Sequence, residues 1–216
     1  MGDQVVSEGF EYHSGEACAS GRCPACSAAR ALLEDTLIPE ALEMSTSRIL
    51  SAGERVKVKN RIARAQGQLS GIIRMFEADV PVPEIAIQMR AAFHAVRRTV
   101  VRLLVLGVEE QTMASEGDVP DIFSYGFPLI GGMNSTRFVD SNKVLDNLRI
   151  AQHSLASAQV LLEDDDSFLK MVAVLAVSAG RIRETSVSLF LEKLMAARRE
   201  NSIADCRLYE KLIMSY

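Results

Sequence analysis

Residues 60–107 read NRIARAQGQLSGIIRMFEADVPVPEIAIQMRAAFHAVRRTVVRLLVLG, and residues 146–193 read DNLRIAQHSLASAQVLLEDDDSFLKMVAVLAVSAGRIRETSVSLFLEK. The second stretch repeats the first after a shift of 86 positions. The identical residues are Ala65, Gln66, Leu69, Glu77, Asp79, Arg97, Thr99, Val101 and Leu103, which fall on Ala151, Gln152, Leu155, Glu163, Asp165, Arg183, Thr185, Val187 and Leu189. Solenoids generally need three or more copies to bury a continuous core. Two copies instead predict a dimer of helical hairpins fused into one chain.

Each copy has the pattern of two helices joined by a turn. In the first copy the apolar residues at helical spacing are Ile62, Ala65, Leu69, Ile72, Ile73 and Phe76, then Ile85, Met89, Ala92, Val96, Val100 and Leu103. Ser51 and Glu54 have the spacing of a capping box, and Pro81 and Pro83 end the first helix. We predict helices over residues 53–78 and 83–109, over 139–163 and 167–199, and near 203–214.

The predicted helices divide the chain into four parts. Residues 1–50 form an acidic extension with a cysteine cluster and short helices, and residues 51–110 form the first hairpin, repeat one. Residues 111–138 form a linker that contains Gly, Pro and Ser, and residues 139–216 form a degenerate second hairpin, repeat two, with a carboxyl-terminal helix.

Charge is distributed unevenly along the chain, although the formal net charge is only −4. Residues 55–102 contain ten Lys and Arg against three Asp and Glu, whereas residues 141–188 contain five against six. The first fifty residues contain three against eight. This asymmetry indicates a polyanion-binding face on repeat one.

The composition also indicates in which cellular compartment the protein is expected. No stretch approaches the eighteen or so apolar residues that span a bilayer, and the first twenty residues are too polar for a secretory signal. We therefore expect a cytoplasmic protein that has no membrane partner. The four cysteines, Cys18, Cys23, Cys26 and Cys206, are then expected to be thiols or metal ligands rather than disulfides.

The segment Arg61–Glu77 resembles the copper-sensitive operon repressor family, which also includes nickel/cobalt-responsive and formaldehyde-responsive repressors. After a basic start, the matching residues are Gly67, Gln68, Leu69, Gly71, Ile72, Arg74, Met75 and Glu77. A weaker match continues through residues 84–88 to about Leu104. Repeat two shares the resemblance only through the internal repeat.

Members of that family are all-helical, and two hairpin protomers form an antiparallel four-helix disc that binds DNA across basic faces of the first helix. The resemblance therefore implies an all-α fold in which two tandem hairpins pack as a pseudo-dimeric antiparallel four-helix bundle. It also implies contacts to double-stranded DNA from Lys57, Arg61, Arg64, Gln68, Arg74, Arg97 and Arg98. Such cations supply affinity by counterion release, and they position a protein rather than read bases. The alternative interpretation is a solvated, charged helix face.

The chain departs from this family at the metal site. Family members sense metal with a Cys at the start of the second helix and with a His and a Cys further along it. These positions hold Val82, Gly107 and Gln111 in repeat one, and Phe168, Lys193 and Ala197 in repeat two. None of them offers a soft metal a suitable donor, so we predict that the usual inducer site is absent. His94 and His153 lie elsewhere, and we expect them to be ordinary packing or surface residues.

Repeat two also lacks the basic stripe of repeat one. Lys57, Arg61 and Arg64 correspond to Lys143, Asn147 and Ile150. If the chain binds DNA, one repeat makes the contact and the other serves as its packing partner. A symmetric operator then requires two chains, which is a homodimer.

Four donors near the amino terminus have the density that a metal site needs: His13, Cys18, Cys23 and Cys26. Three cysteines and one histidine make a tetrahedral zinc set. Thiolates equally suit copper(I) or an iron–sulfur cluster, and redox chemistry or a reduced tail without metal are further alternatives. We predict metal or redox sensing through this cysteine cluster.

The leading interpretation is a DNA-binding transcriptional regulator of the repressor type. The alternative is a non-DNA-binding adaptor or accessory subunit whose bundle holds a partner protein, with a metal or cluster on the cysteines. We do not expect an enzyme, because the sequence contains no nucleophile–base pairing, no phosphate-binding glycine loop, and no cluster of carboxylates with histidine on one helix face.

Overall fold

The computed structural model describes residues 46–114, 143–163 and 168–216. Within them the chain forms α1 (Thr46–Ile49), α2 (Ala52–Glu77), α3 (Val82–Ala114), α4 (Val144–Glu163), α5 (Phe168–Arg199) and α6 (Ile203–Ile213). These described ranges contain no strand. The predicted all-α fold class is therefore confirmed.

The first long helix begins at the predicted serine cap. The Ser51 side chain accepts a hydrogen bond from the backbone N–H of Glu54 at 3.3 Å, which satisfies one of the free donors at the start of α2. In a capping box the Glu54 side chain would also accept a hydrogen bond from the Ser51 backbone N–H, but here it makes another contact. The Glu54 carboxylate instead accepts a hydrogen bond from Lys57 at 3.1 Å.

Two helices end in the same hydrogen-bonded turn. At the end of α2, the N–H of Val80 donates to the Met75 carbonyl and the N–H of Asp79 donates to the Phe76 carbonyl. This Schellman pattern places Asp79 in the left-handed region at a φ of 51°, and Asn201 after α5 has a φ of 57°. Asp and Asn tolerate this conformation better than most residues, which explains why both turns form without glycine.

The four long helices form a closed ring of contacts. Helix α2 packs against α3 and α4, and α5 packs against the same two helices from the other side. Helix α1 contacts α3, and α6 packs on α5. The two hairpins, α2–α3 and α4–α5, thus complete one bundle together.

Contacts between α2 and α4 fix their relative direction. Arg55, near the start of α2, donates a hydrogen bond to the carbonyl of Leu162 near the end of α4. Arg149, near the start of α4, donates to Glu77 at the end of α2, at 3.2 Å. The two helices therefore run antiparallel. This arrangement confirms the predicted pseudo-dimeric, antiparallel four-helix bundle.

The core consists of the stripes that the sequence periodicity predicts. Among its fully buried members are Val58, Leu69, Ile72, Met89, Val100, Leu103, Leu148, Leu155, Phe168, Leu175, Ile182 and Phe190, each with no exposed surface. Burial of each large apolar side chain contributes roughly 1.5–3 kcal/mol relative to exposure. Helix α5 is the most enclosed element, because residues on nearly all of its faces are buried.

The carboxyl-terminal segment brings an aromatic ring onto the bundle. The ring centroid of Tyr216 lies 5.5 Å from that of Phe93 on α3 and 5.9 Å from that of Phe190 on α5. The two phenylalanines are almost completely buried, at 1% and 0% exposure. Tyr216 therefore joins the two repeats through aromatic packing.

One predicted boundary is wrong. Helix α3 ends at Ala114 rather than 109, because residues 110–114 contain no Gly or Pro and continue the helix into the predicted linker. The predicted start of the next helix at 139 lies outside the described residues, within which α4 begins at Val144. The cysteine cluster, the remaining linker and the acidic turn at 164–166 lie outside the described residues. The division of the chain into domains stays a prediction.

Among the described helices, none is both long enough and apolar enough to cross a bilayer.

Candidate nucleic-acid interface

A row of polar and basic side chains follows one face of α2. Lys57, Arg61, Arg64 and Gln68 recur every three or four residues, so they share a face at the roughly 100° per residue of an α-helix. The three cations are exposed, whereas Gln68 is partly buried. Val58, Ile62, Ala65 and Leu69 occupy the adjacent face and are buried in the core. Core packing on one face thus holds the basic face toward solvent.

Helix α3 supplies the opposite wall of a shallow groove. A depression of about 450 Å³ lies between the two helices and is lined by Arg64, Gly67, Gln68, Gly71, Ile72, Met75 and Gln88. At one end of this surface Arg102 of α3 approaches the Glu54 carboxylate at 4.0 Å. We call this surface the basic groove, defined by Lys57, Arg61, Arg64 and Gln68 on α2 and by Gln88 and Arg102 on α3.

Two glycines keep the helix surface low inside the depression. A Cβ atom built on Gly67 or on Gly71 meets no atom within 4 Å, so the missing side chains leave open space. These glycines belong to the motif that carries the family resemblance. Their effect here is to let a ligand approach the α2 backbone.

The electrostatics of the basic groove are uneven along its length. At the α1 end, Lys57 pairs with Glu54 at 3.1 Å, and this hydrogen bond lowers the pKa of the Glu54 carboxyl. Lys57 is therefore partly neutralised. Arg61 and Arg64 form no hydrogen bond or ion pair with any residue in the described part of the chain. Besides the hydrogen bond from Lys57, the charge of Arg61 contributes to the lowered pKa of Glu54 without a direct ion pair, so the two exposed guanidiniums in the middle of the groove are open to a ligand.

Two of the seven predicted contact residues, Arg74 and Arg97, lie on other faces of their helices than the basic groove. Arg74 is exposed but lies about 100° around α2 from the basic face. Arg98 lies one turn before Arg102, and its Nε donates to the carbonyl of His94 at 3.3 Å. Arg97 lies on a different face of α3, where it is partly buried and its Nε has no partner within the described residues. The fold therefore groups Lys57, Arg61, Arg64 and Gln68, but not Arg97, on one surface.

Sequence reasoning missed Arg102 and Gln88. In the sequence Arg102 is only part of the local charge excess, because the periodicity of one helix does not show which residues a second helix brings alongside. The signal available in the sequence was the antiparallel hairpin itself. In such a hairpin the end of α3 lies beside the start of α2, which places Arg102 near Glu54.

The equivalent surface of repeat two is neither open nor basic. Gln68 and Gln88 correspond to Ser154 and Val174, which are 1% and 2% exposed. Arg61 corresponds to Asn147, whose Oδ1 accepts a hydrogen bond from Arg181 at 3.2 Å. The duplicated fold therefore has a basic groove on repeat one, whereas these matching positions of repeat two are buried or uncharged and only the position of Lys57 keeps an exposed cation, Lys143.

Two of the positions that the family resemblance assigns to a metal hold apolar side chains. Phe168 is fully buried in the apolar core, and Ala197 is 4% exposed. Within the described residues no group of three or more His, Cys, Asp or Glu could hold an ion. Cys206 is partly buried and is not part of a disulfide. The predicted ligands His13, Cys18, Cys23 and Cys26 lie outside the described residues.

The two described histidines lie on different helices. Burial first, and then the nearby charges of Arg98, Arg97 and Arg90, lower the pKa of His94. Burial alone lowers the pKa of His153. Both imidazoles are therefore held toward the neutral form.

The first hairpin is similar to a known protein family. Residues 54–118 match the family model described as metal-sensitive transcriptional repressor. This match confirms the resemblance indicated by the glycine–glutamine motif, and it covers just under one third of the chain. The matched family is one of repressors and not of enzymes. No curated protein and no solved structure matches the chain.

Proposed function

We propose that this chain is a DNA-binding transcriptional regulator of the repressor type, and that its basic groove contacts double-stranded DNA. The observation that carries the proposal is the pair Arg61 and Arg64, which are exposed and unpaired within the described residues of the matched segment. A guanidinium suits phosphate because its fixed fork of donors matches two phosphate oxygens. Each phosphate contact also releases condensed counterions, which favours binding.

The shape of the basic groove supports contact with the sugar–phosphate backbone. At Gly67 and Gly71 the depression leaves open space in which a strand can approach the α2 backbone. Arg64 lies at its rim, and Gln68 and Gln88 add amide groups that can hydrogen-bond to phosphate oxygens. These contacts supply affinity and position the chain on DNA.

The asymmetry of the duplicated bundle sets the expected stoichiometry. Repeat one has the basic groove, whereas the equivalent positions Ser154 and Val174 of repeat two are buried. One chain therefore contacts one half-site. Two-fold symmetric operators match two-fold symmetric proteins, so we propose a homodimer of chains on a symmetric operator.

Regulation is proposed to depend on the amino-terminal cysteine cluster, His13, Cys18, Cys23 and Cys26. The positions used by the resembled family hold Val82, Gly107 and Gln111 in repeat one and Phe168, Lys193 and Ala197 in repeat two. Zinc, copper(I) and an iron–sulfur cluster are the candidate ligands of the cysteine cluster, and thiol oxidation is the metal-free alternative.

A second candidate function is an adaptor that binds a partner protein rather than DNA. The favouring observation is repeat two, whose surface lacks the basic stripe while its bundle packing is retained. An adaptor does not need Arg61 and Arg64 to bind its partner, whereas a DNA-binding regulator does. Substitution of these two arginines therefore distinguishes the two functions.

The experiment measures the affinity of the purified, reduced chain for fluorescent duplex DNA over a range of salt concentrations. The test variant is Arg61→Ala/Arg64→Ala, and the matched control is Arg199→Ala/Arg207→Ala, which removes two exposed cations outside the basic groove. We expect the test variant to bind less tightly and its salt slope to fall by about one unit for each lost phosphate contact. The control is expected to bind like the unmodified chain. Equal loss in both variants would indicate a general charge effect, and no binding by any protein would favour the adaptor.

A further inference from the structure

The basic groove begins where the amino-terminal segment joins the bundle. Thr46 is completely buried in α1, which contacts α3, and Leu50 is 1% exposed. Ser51 then caps α2 through the Glu54 backbone N–H. Glu54 is also the residue that Arg102 approaches at the end of the groove. The chain that precedes Thr46 therefore meets the bundle beside this end of the basic groove.

The preceding segment carries charge opposite to that of the groove. Residues 1–45 contain eight Asp and Glu against two Arg. Half of these acids, Glu34, Asp35, Glu40 and Glu43, lie within twelve residues of Thr46. Extended chain spans up to about 3.3–3.6 Å per residue, so this part can reach roughly 40 Å. The α2 face from Lys57 to Met75 is about 27 Å long at 1.5 Å per residue, so the acids farthest from Thr46, Glu34 and Asp35, can reach every cation on it, whereas Glu40 and Glu43 reach only the cations nearer to Glu54.

We propose that the acidic segment of residues 1–45 lies in the basic groove and competes there with DNA. The proposal rests on the proposed function for its biological meaning, because it adds a regulatory partner to the same surface. Arg61 and Arg64 have no ion-pair partner among the described residues, so they are the cations that the acidic segment would pair with. Because the competitor is covalently attached, its effective concentration at the groove is on the order of millimolar.

Competition follows from the electrostatics of both ligands. DNA and an acidic peptide are polyanions that bind the same cations, and each must displace the other or the counterions. An attached peptide therefore weakens DNA binding without any change in the bundle. Any event that draws the segment elsewhere strengthens DNA binding. Because His13, Cys18, Cys23 and Cys26 lie in the same segment, the cysteine cluster is placed to control this competition.

The test uses the full chain and first measures the contact without DNA. Phenylglyoxal modifies accessible arginines, and mass spectrometry gives the rate at each site. The test variant is Asp35→Asn/Glu40→Gln/Glu43→Gln. The matched control, Glu109→Gln/Glu192→Gln/Glu200→Gln, removes three exposed charges from α3, α5 and the turn after α5. Arg199 and Arg207 serve as internal reference sites.

We expect Arg61 and Arg64 to react at least about threefold faster in the test variant than in the unmodified chain or the control. The rates at Arg199 and Arg207 are expected to stay the same. Equal rates at Arg61 and Arg64 in all three proteins would overturn the proposal. So would protection that strengthens as the protein is concentrated, because a second copy would then cover the groove.

Affinity for random duplex DNA, measured on the same proteins, separates this proposal from the proposed function. Faster arginine reaction together with tighter DNA binding by the test variant supports both the contact and the competition. Faster reaction when none of the proteins binds DNA supports the contact and contradicts the proposed function. Faster reaction with unchanged DNA affinity overturns the competition.

Discussion

Glu163 of repeat two forms an ion pair with Lys59 of repeat one, with 2.5 Å between Oε1 and Nζ. The equivalent residue of repeat one, Glu77, pairs with Arg149 of repeat two at 3.2 Å. The same duplicated glutamate thus bridges to the opposite repeat in both directions. These pairs lie at the two ends of the antiparallel α2–α4 contact and are consistent with one register along its whole length.

The first prediction concerns the stability that this pair contributes. The hydrogen bond from Lys59 lowers the pKa of the Glu163 carboxyl below its ordinary value of 4.5. A lowered folded pKa stabilises the fold above pH 4.5, and this stabilisation is lost as the pH falls through the folded pKa. Because both side chains are about half exposed, Glu163→Gln is expected to lower the Tm by no more than about 2–4 °C at neutral pH.

Thermal unfolding followed by circular dichroism from pH 3 to pH 7 checks this expectation. The difference between the unmodified chain and Glu163→Gln should disappear at the acid end. Glu192→Gln is the control, since Glu192 is exposed on α5 and forms no ion pair within the described residues. A difference that stays constant with pH would show that the pair is not its cause.

The second prediction separates the stability of α2 from its binding surface. Alanine is about 1 kcal/mol more favourable than glycine inside a helix, and a Cβ at Gly71 meets no neighbouring atom. Gly71→Ala is therefore expected to stabilise the chain. The new methyl group also occupies the depression, so we expect the Kd for DNA to rise about fivefold, which is about 1 kcal/mol.

Gly53→Ala is the matched control for this substitution. Gly53 also lies in α2 with open space around it, but it does not line the depression. It should raise the Tm without a change in Kd. If Gly71→Ala raised the Tm and left DNA binding intact, the depression would not be part of the interface.

The third prediction tests the aromatic contact of the carboxyl terminus. The Tyr216 ring packs between Phe93 and Phe190, so Tyr216→Ala is expected to cost about 2–3 kcal/mol in the free energy of unfolding. The hydroxyl adds little, because its neighbour Ser186 donates to the Ile182 carbonyl at 2.7 Å and Tyr216 Oη has no partner in hydrogen-bonding geometry within the described residues. Tyr216→Phe is therefore expected to be as stable as the unmodified chain.

Alkaline titration adds a second measurement on the same variants. Burial raises the pKa of Tyr216, so the folded state favours the protonated phenol. The stabilisation that the buried phenol contributes is fully present below the ordinary tyrosine pKa of 10.0, and it is lost progressively as the pH rises above that value. Urea unfolding at pH 8 and pH 11 should show a loss in the unmodified chain that is smaller in Tyr216→Phe. An equal loss in both proteins would mean that the phenol is not responsible.

The fourth prediction concerns metal at the cysteine cluster. The reduced, full-length chain is expected to bind one zinc ion, measured by competition with a chromogenic chelator. Cys18→Ser/Cys23→Ser/Cys26→Ser should abolish this binding, because serine cannot supply a thiolate. Cys206→Ser is the control, since Cys206 lies in α6 away from any group of donors in the described residues. Equal zinc binding by the triple variant would place the ion elsewhere.

Much of the fold can be predicted from the helical spacing of apolar residues and from the internal repeat. The stripes that include Leu69 and Met89 predict the buried faces, and the repeated residues predict two hairpins in one bundle. The extension of α3 to Ala114 was missed, because a composition typical of linkers begins only after that helix ends. Local propensity does not show how far a helix continues once its packing surface has ended.

The candidate interface was predicted less completely than the fold. Helical spacing identifies Arg61 and Arg64 as neighbours on one face. The place of Arg102 depends on the hairpin contact, and the exclusion of Arg97 depends on which side of α3 faces α2. Both placements depend on how α2 and α3 pack against each other, so the residue pattern of one helix alone does not predict them.

The most direct test of the account is recovery of fragmented genomic DNA by the purified, reduced chain at physiological salt, followed by sequencing of what is held. The Arg61→Ala/Arg64→Ala variant is run beside it. We predict that the unmodified chain enriches one or a few promoter fragments and that the variant does not. Absence of enrichment by the unmodified chain would contradict the account, because the basic groove would then be a solvated face.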